Sequence, residues 1–198
     1  MGKTALLLIE FQNDFLREDG AQKATGIWKR AKEHKVVENT VKVVEAARKA
    51  KIPIIYAPIS FREGYPEWKR QFGLVKGAAD AGAFRKGTWG AEVVDELRPK
   101  TGDFVIDKRR LCAFCDTELE SLLQALGVED LIITGFITNW CAEQTGREAY
   151  DKGFKPVFVV DCMEALSDEE QKFAVEKIFP ALGDVRTSKE IIKEFEKR

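Results

Sequence analysis

Residues 131–147 read LIITGFITNWCAEQTGR, a segment that combines a buried strand with the start of a helix. The β-branched apolar run ends at Gly135, and Cys141 follows six residues later, where a helix is predicted to begin. A free thiol has a pKa of about 8.5, and the positive end of a helix dipole lowers it by favouring the thiolate. Cysteines are also common as small buried hydrophobic residues. This segment alone therefore leaves two interpretations of Cys141, a nucleophile and a core residue.

The rest of the chain alternates short apolar runs with apolar residues at helical spacing. This alternation is typical of an α/β fold with an open, mostly parallel six-stranded sheet and helices on both faces. The predicted strands are residues 5–10, 53–57, 103–107, 131–134, 156–160 and 184–186. Core-facing helices are predicted from the apolar stripes Val37, Val41, Val44 and Ala47 and Leu119, Leu122, Leu123 and Leu126.

Composition indicates one domain spanning residues 1–198. Of the 198 residues, 44% are hydrophobic and 33% are charged, which is enough for one well-buried core, and we find no internal repeat. The exception to the regular alternation is the segment 60–90, which is rich in glycine, charge and aromatic residues. Loops of this length in a compact domain are usually functional, so we expect a lid or an oligomer contact here.

Charge and cysteine content restrict the possible partners and compartment. The formal net charge is -1, so no global field would draw the chain to nucleic acid or to an anionic membrane. The apolar run in MGKTALLLIE is too short for a secretory or membrane-spanning segment, which predicts a cytoplasmic protein. The pair Cys112 and Cys115 lacks the second close pair that a zinc site needs. A redox pair remains an alternative, although Asp116 resembles a helix cap placed after the motif rather than before it.

Three reactive side chains stand at predicted strand ends: Glu10, Lys108 and Cys141. Because ligands of open parallel sheets bind at the carboxyl ends of the strands, we expect these groups to share one cleft if their strands are neighbours. A partly desolvated carboxylate can accept the thiol proton, and a lysine ammonium lowers the cost of forming the thiolate. Backbone N–H groups at the helix start would stabilise an oxyanion. The alternative is that Glu10 and Lys108 form a structural ion pair.

Four separate blocks of sequence follow one another along the chain: LLLIEFQNDF, GTWGAEVVDEL, GDFVIDK with AF-x-x-T-x-L, and GFITNWC-x-x-x-T. Through them the chain resembles the isochorismatase-like cysteine hydrolases along nearly its full length. The resemblance implies a triad of Cys141, Lys108 and Glu10 and a cis peptide between Phe136 and Ile137. It implies oxyanion donors at the backbone of Ile137 and Cys141, no cofactor, and a homo-oligomer, either a dimer or a tetramer. The expected pocket walls are Phe11, Trp89, Phe114 and Trp140, together with the other aromatic residues of the segment 60–90, including Tyr65, Trp68, Phe72 and Phe84.

Two positions depart from the family pattern. The family usually has Asp where this chain has Glu10, and Asp14 is the alternative base. The nicotinamidase branch binds a metal through an Asp and several His after the second strand, whereas the single histidine here, His34, precedes that strand. We therefore predict no metal site, disfavour a nicotinamidase, and expect His34 to be a solvated helix residue.

The leading hypothesis is a cofactor-free amidohydrolase that cleaves a small amide or ureido C–N bond through a thioester. One alternative is an isochorismatase, which cleaves a vinyl ether and needs no thiol. Another is a scaffold protein that has lost activity, with Glu10 as the first sign of that loss. Four basic residues of the segment 60–90 are candidates for binding a substrate carboxylate: Arg62, Arg70, Lys76 and Arg85.

Overall fold

The computed structural model describes residues 2–197 and contains one open sheet of parallel strands. Met1 and Arg198, the end residues of the domain predicted over 1–198, lie outside the described residues. The described strands are β1 (Thr4–Ile9), β2 (Ile54–Ala57), β3 (Phe104–Val105), β4 (Asp130–Phe136), β5 (Lys155–Glu164) and β6 (Asp184–Arg186). Their order across the sheet is β3-β2-β1-β4-β5-β6, and every neighbouring pair is parallel. The predicted α/β fold class and its six-stranded sheet are confirmed.

Strand ends differ from the predicted ones for local reasons. Strand β1 ends at Ile9, because the next residue, Glu10, has a left-handed backbone with φ 56°. Strand β3 shrinks to two residues because it pairs only with β2, at the edge of the sheet. Strands β4 and β5 both extend beyond their predicted ends, with a register shift between Ile133 and Gly135.

Gly135 has a structural role where β4 ends against β1. Its φ is 114°, and a Cβ atom there would collide with the backbone carbonyl of Ile9. Glycine is therefore required for the close approach of the two central strands near the carboxyl end of the sheet.

Helices cover both faces of the sheet. The described α-helices are α1 (Asn13–Leu16), α2 (Ile27–Glu33), α3 (Val36–Lys49), α4 (Gly73–Asp80), α5 (Leu119–Ala125), α6 (Glu143–Asp151), α7 (Asp168–Phe173), α8 (Phe179–Leu182) and α9 (Ser188–Phe195). Helices α2, α3, α4 and α9 pack with Leu6 and Leu8 of β1 in one apolar cluster. Helices α5, α6 and α8 pack with Ala5, Leu7 and Ile9 in the other. Within residues 2–197, none of the helices is long and apolar enough to cross a membrane.

The chain order places a switch point between β1 and β4. The chain builds β1, β2 and β3 toward one edge, then returns to the middle and builds β4, β5 and β6 toward the other. The loops that leave β1 and β4 therefore diverge to opposite faces at adjacent strand ends. This crevice is where doubly wound sheets bind their ligands.

Residues 60–90, which we call the lid segment, contain α4 and fold back on themselves. The Phe61 N–H donates to the Phe84 carbonyl, and the Lys86 N–H donates to the Phe61 carbonyl, so the two ends of the segment lie side by side. The Tyr65 hydroxyl lies 2.7 Å from the Ala83 carbonyl, inside the resulting loop. The segment is thus an ordered part of the domain rather than a plain connector.

Candidate active site

The side chains of Glu10, Lys108 and Cys141 meet at the switch point of the sheet. Lys108 Nζ donates a hydrogen bond to the Glu10 carboxyl group and lies 3.8 Å from Cys141 Sγ. The exposed fractions are 2% for Glu10, 0% for Lys108 and 3% for Cys141. A thiol, an ammonium and a carboxyl group therefore share one desolvated space, where electrostatic interactions are stronger than in water.

Lys108 reaches the cluster although its strand is not a neighbour of β1. Strand β2 lies between β1 and β3. Beyond β3 the backbone of Lys108 continues beside the extension of β2, donating to the Pro58 carbonyl and accepting from the Ser60 N–H. The long lysine side chain then extends to Glu10. The condition under which convergence was predicted, that the three strands are neighbours, holds for β1 and β4 but not for β3, and the three side chains nevertheless meet.

Glu10 occupies a turn directly after β1. Its backbone is left-handed, which is uncommon for a residue other than glycine and costs about 1 kcal/mol or more. The Glu10 N–H donates to the Ala57 carbonyl, and the Gln12 N–H donates to the Glu10 carbonyl. These bonds hold the conformation in which the Glu10 side chain meets Lys108.

Cys141 lies in a wide helical turn, Thr138–Ala142, that precedes α6. The peptide bond between Phe136 and Ile137 is cis. The Ile137 carbonyl accepts hydrogen bonds from the N–H groups of Trp140 and Ala142, which closes the turn. Cys141 therefore stands at the start of a helical region, as its position in the sequence predicted.

Burial raises the pKa of the Cys141 thiol far above its usual value, and the neighbouring Glu10 raises it further. The Lys108 ammonium and a backbone hydrogen bond from Ile137 lower it, but less. The pKa of Lys108 itself is raised, since the attraction of Cys141 and Glu10 outweighs the effect of burial. The helix-dipole argument predicted a lowered thiol pKa. It is outweighed because a dipole contributes about 1 kcal/mol, whereas desolvation of a buried charge costs more.

A cavity of about 430 Å³ opens above this cluster. Its floor includes Glu10, Ile137, Trp140 and Cys141, and much of its wall comes from the lid segment. Apolar wall residues include Phe15, Phe61, Trp68, Phe72, Val75, Phe84 and Leu111, and the polar ones include Gln22, Thr25, Arg109 and Arg110. The arrangement gives a carbonyl compound access to the thiol from an apolar chamber.

Of the predicted walls Phe11, Trp89, Phe114 and Trp140, only Trp140 lines the cavity, and the structure places the other three away from the lining. Phe11 packs edge-on against Phe136 at 5.1 Å, because it points into the core below β1. Phe114 stacks on Phe154 at 6.0 Å on the other face of the sheet. Trp89 is 48% exposed in the short helical turn Trp89–Ala91. Among the aromatic residues of the lid segment that were also predicted as walls, Trp68, Phe72 and Phe84 line the cavity, whereas Tyr65 does not.

Predictions were also made for two other polar residues, Asp14 and His34. Asp14, the alternative base, is not part of the cavity lining, because its carboxylate accepts the Ala21 N–H at 2.9 Å and the Phe84 N–H at 2.6 Å. It is therefore a structural tie to the lid segment. His34 is exposed at the end of α2, as predicted, and its Nδ1 also lies 2.5 Å from the buried carboxyl group of Glu164. Its hydrogen-bonding partner is remote in sequence, at the end of β5.

The basic residues near the cavity are not the predicted ones. Among the residues that line it are Arg109 and Arg110, whereas Arg62 pairs with Glu67 and Lys76 with Asp80. Both arginines directly follow Lys108 in the sequence DKRRL, so their position after β3 was the signal that could have identified them. Within residues 2–197, no group of three or more His, Cys, Asp or Glu side chains is arranged to hold a metal ion.

The open parallel sheet, with a thiol, an ammonium and a carboxyl group at its switch point, defines a doubly wound α/β protein with an enzyme-like crevice. Residues 4–190 match the model of the isochorismatase domain, so the chain belongs to the isochorismatase family of hydrolases. The ureidoacrylate amidohydrolase RutB of Yersinia enterocolitica is 32% identical over 200 residues, covering 93% of this chain and 86% of the relative.

Two solved structures show the same architecture. A cysteine hydrolase from Pseudomonas syringae pv. phaseolicola 1448A matches with a TM-score of 0.86 at 25% identity, covering 98% of this chain and 93% of the other. An N-carbamoylsarcosine amidase from Thermoplasma acidophilum matches with a TM-score of 0.75 at 28% identity, covering 94% and 96%.

Proposed function

We propose that this protein hydrolyses an amide or ureido C–N bond, with Cys141 as the nucleophile. The observation that carries the proposal is the cluster at the cavity floor, in which Lys108 Nζ contacts Glu10 and lies 3.8 Å from Cys141 Sγ. The similarity to an amidohydrolase and to an N-carbamoylsarcosine amidase supports the same bond type.

The first step is attack on the substrate carbonyl. The sulfur of Cys141 forms a bond to the carbonyl carbon, its proton passes to the Glu10 carboxylate, and the C=O electron pair moves onto oxygen. Because the thiol pKa is raised, deprotonation accompanies attack rather than preceding it. The backbone N–H groups of Ile137 and Cys141 are the proposed donors to the oxyanion, and one such donor is worth about 3 kcal/mol.

The second step expels the nitrogen group. The C=O bond re-forms, the C–N bond breaks, and the nitrogen takes the proton from Glu10, which leaves a thioester on Cys141. Glu10 then removes a proton from water, whose oxygen attacks the thioester carbon. The C–S bond breaks, the sulfur recovers the proton from Glu10, and the acid is released.

Lys108 has an electrostatic role throughout. Its ammonium faces both groups that carry negative charge during the cycle, the Glu10 carboxylate and the developing charge on Cys141 sulfur. Its raised pKa keeps it charged at neutral pH. A fixed positive charge in a desolvated site stabilises such states without reorganisation.

Replacing the thiol tests the mechanism. We expect Cys141→Ala to lower kcat on a panel of simple amides by about 10⁴-fold or more, since the covalent route is lost. The matched control is Cys115→Ala, which removes an exposed thiol and should retain full activity. Ammonia release measures turnover, and circular dichroism checks the fold. Wild-type activity in the Cys141 variant would exclude the thioester mechanism, and thiol-independent pyruvate release from isochorismate would support vinyl ether cleavage instead.

A further inference from the structure

The cavity above Cys141 is larger and more apolar than an amide group requires. Its volume of about 430 Å³ lies within the range of roughly 300–1,000 Å³ that is typical of drug-sized ligands. Six aromatic side chains line it: Phe15, Phe61, Trp68, Phe72, Phe84 and Trp140. Such walls stabilise a ligand in proportion to the apolar area that the ligand buries.

Part of this apolar lining faces solvent. Phe72 is 64% exposed and Leu74 is 47% exposed, and both line the cavity. Exposed apolar patches on a soluble domain often mark ligand grooves, because covering them removes apolar surface from water. An apolar ligand group extending from Cys141 toward the lid segment would cover these two side chains.

The cations at the cavity already have partners. Arg109 pairs with Asp107 at 2.6 Å. Arg110 lies 3.3 Å from Asp116, and its guanidinium stacks over the Trp68 ring at 4.7 Å from the centroid. An anionic substrate group would have to compete with these carboxylates, whereas a neutral apolar group would pack beside the stacked pair without disturbing it.

The floor of the cavity restricts the other end of the substrate. In the proposed mechanism the departing nitrogen takes its proton from Glu10, so it must lie against Glu10. That carboxyl group is 2% exposed, beside a fully buried Lys108. A small nitrogen group fits this floor, and the carbonyl substituent is then left to occupy the chamber.

We propose that the substrate is an amide of a neutral, bulky apolar acid, with an aryl or branched alkyl acyl group and a small amine or ammonia as the leaving group. This inference rests on the proposed function, because it assumes that Cys141 attacks the amide carbonyl. It specifies which side of the scissile bond fills the chamber.

The first experiment measures binding apart from turnover. The Cys141→Ala variant is titrated by calorimetry with a series of primary amides from acetamide to 3-phenylpropanamide. Cys141→Ser replaces it if Cys141→Ala does not fold. We expect Kd to fall about threefold to fourfold per added methylene. Two comparison series should show no such gain in affinity. One consists of N-substituted acetamides of equal size, and the other consists of anionic monoamides of dicarboxylic acids. The inference would be overturned if Kd fell equally in either comparison series, or if Kd did not change along the neutral primary amides.

A matched pair of variants locates the effect. Phe72→Ser, made in the Cys141→Ala background, should raise the Kd for 3-phenylpropanamide about threefold to tenfold. Phe173→Ser, which alters a similarly exposed phenylalanine of α7 outside the cavity lining, should leave it unchanged. An equal effect of both, or no effect of Phe72→Ser, would contradict the chamber as the binding site.

Turnover by the wild-type protein separates the two proposals. If the bulky neutral amides bind tightly but none is hydrolysed, the proposed function fails and the chamber's preference stands. If small and bulky amides are hydrolysed with equal kcat/KM in a Cys141-dependent reaction, the amidohydrolase stands and the preference fails.

Discussion

At the scale of single residues, the sequence placed Cys141 correctly but could not predict its acidity. The position follows from local rules, since an apolar run, a glycine and a helix start are adjacent in the chain. The pKa follows from burial and from Glu10, and Glu10 is 131 positions away. A local argument from the helix dipole therefore gave the wrong sign. Because burial and Glu10 raise the pKa of the Cys141 thiol, the proposed mechanism needs a base beside it, and Glu10 is the carboxyl group that lies there.

Charge changes next to the thiol should shift its alkylation profile in opposite directions. We expect Glu10→Gln to move the pH dependence of iodoacetamide labelling at Cys141 lower by about one pH unit, because a carboxylate disfavours the thiolate. Lys108→Met should move it higher, because the ammonium favours the thiolate. In the wild type, labelling should keep rising above pH 9. Site-resolved mass spectrometry separates Cys141 from the other cysteines, and shifts of the same sign in both variants would contradict this account.

At the scale of elements, the sequence predicted a functional lid segment but did not predict the hydrogen bonds that attach it to Asp14. Asp14 looked like an alternative base because it closely follows β1. Its carboxylate instead accepts the N–H of Phe84, 70 residues away, and the N–H of Ala21. Side-chain contacts of this kind carry no periodic signal, so they cannot be read from one sequence. Trp68 and Phe72 were predicted as walls only as members of the group of lid aromatics, and their place on the cavity wall depends on how the segment folds back.

Removing the tie should loosen the lid segment. Asp14→Ala leaves two backbone N–H groups without their acceptor, and each such loss costs about 1–3 kcal/mol. We expect tryptic cleavage within residues 60–90 to accelerate at least about tenfold under native conditions. Mass spectrometry of the fragments identifies the sites. Asp80→Ala, which removes an exposed carboxylate of α4, is the control and should cleave at the wild-type rate. Acceleration spread evenly over the chain would indicate global destabilisation rather than a released lid segment.

At the scale of the whole molecule, the fold was largely predictable because the central strands are buried on both faces. Strands β1 and β4 contain the largely apolar runs ALLLI and LIITGF, and every residue of each strand is buried. Strand β3 at the edge, with Val105 53% exposed, is shorter than predicted. The switch point between β1 and β4 then brings residues that are far apart in sequence into one crevice. The order of strands, which periodicity does not encode, is what brings Arg109 and Arg110 into the lining of the same cavity as Cys141.

The stability of the whole domain should fall at alkaline pH because of its buried thiols. Burial raises the pKa of Cys112 to about 11 and the pKa values of Cys141 and Cys162 further. In the unfolded chain a thiol ionises near pH 8.5, so above that pH the unfolded state binds fewer protons than the folded state. The stabilising contribution is therefore complete below about pH 8.5 and is lost as the pH rises, by about 1.4 kcal/mol per pH unit for each buried thiol.

Urea denaturation at pH 8, 9 and 10 under reducing conditions measures how steeply the free energy of unfolding falls with pH. Cys162→Ala should make this slope shallower by about one thiol's share, whereas Val159→Ala in the same cluster should lower stability equally at every pH. Equal slopes for the wild type and Cys162→Ala would contradict the raised thiol pKa.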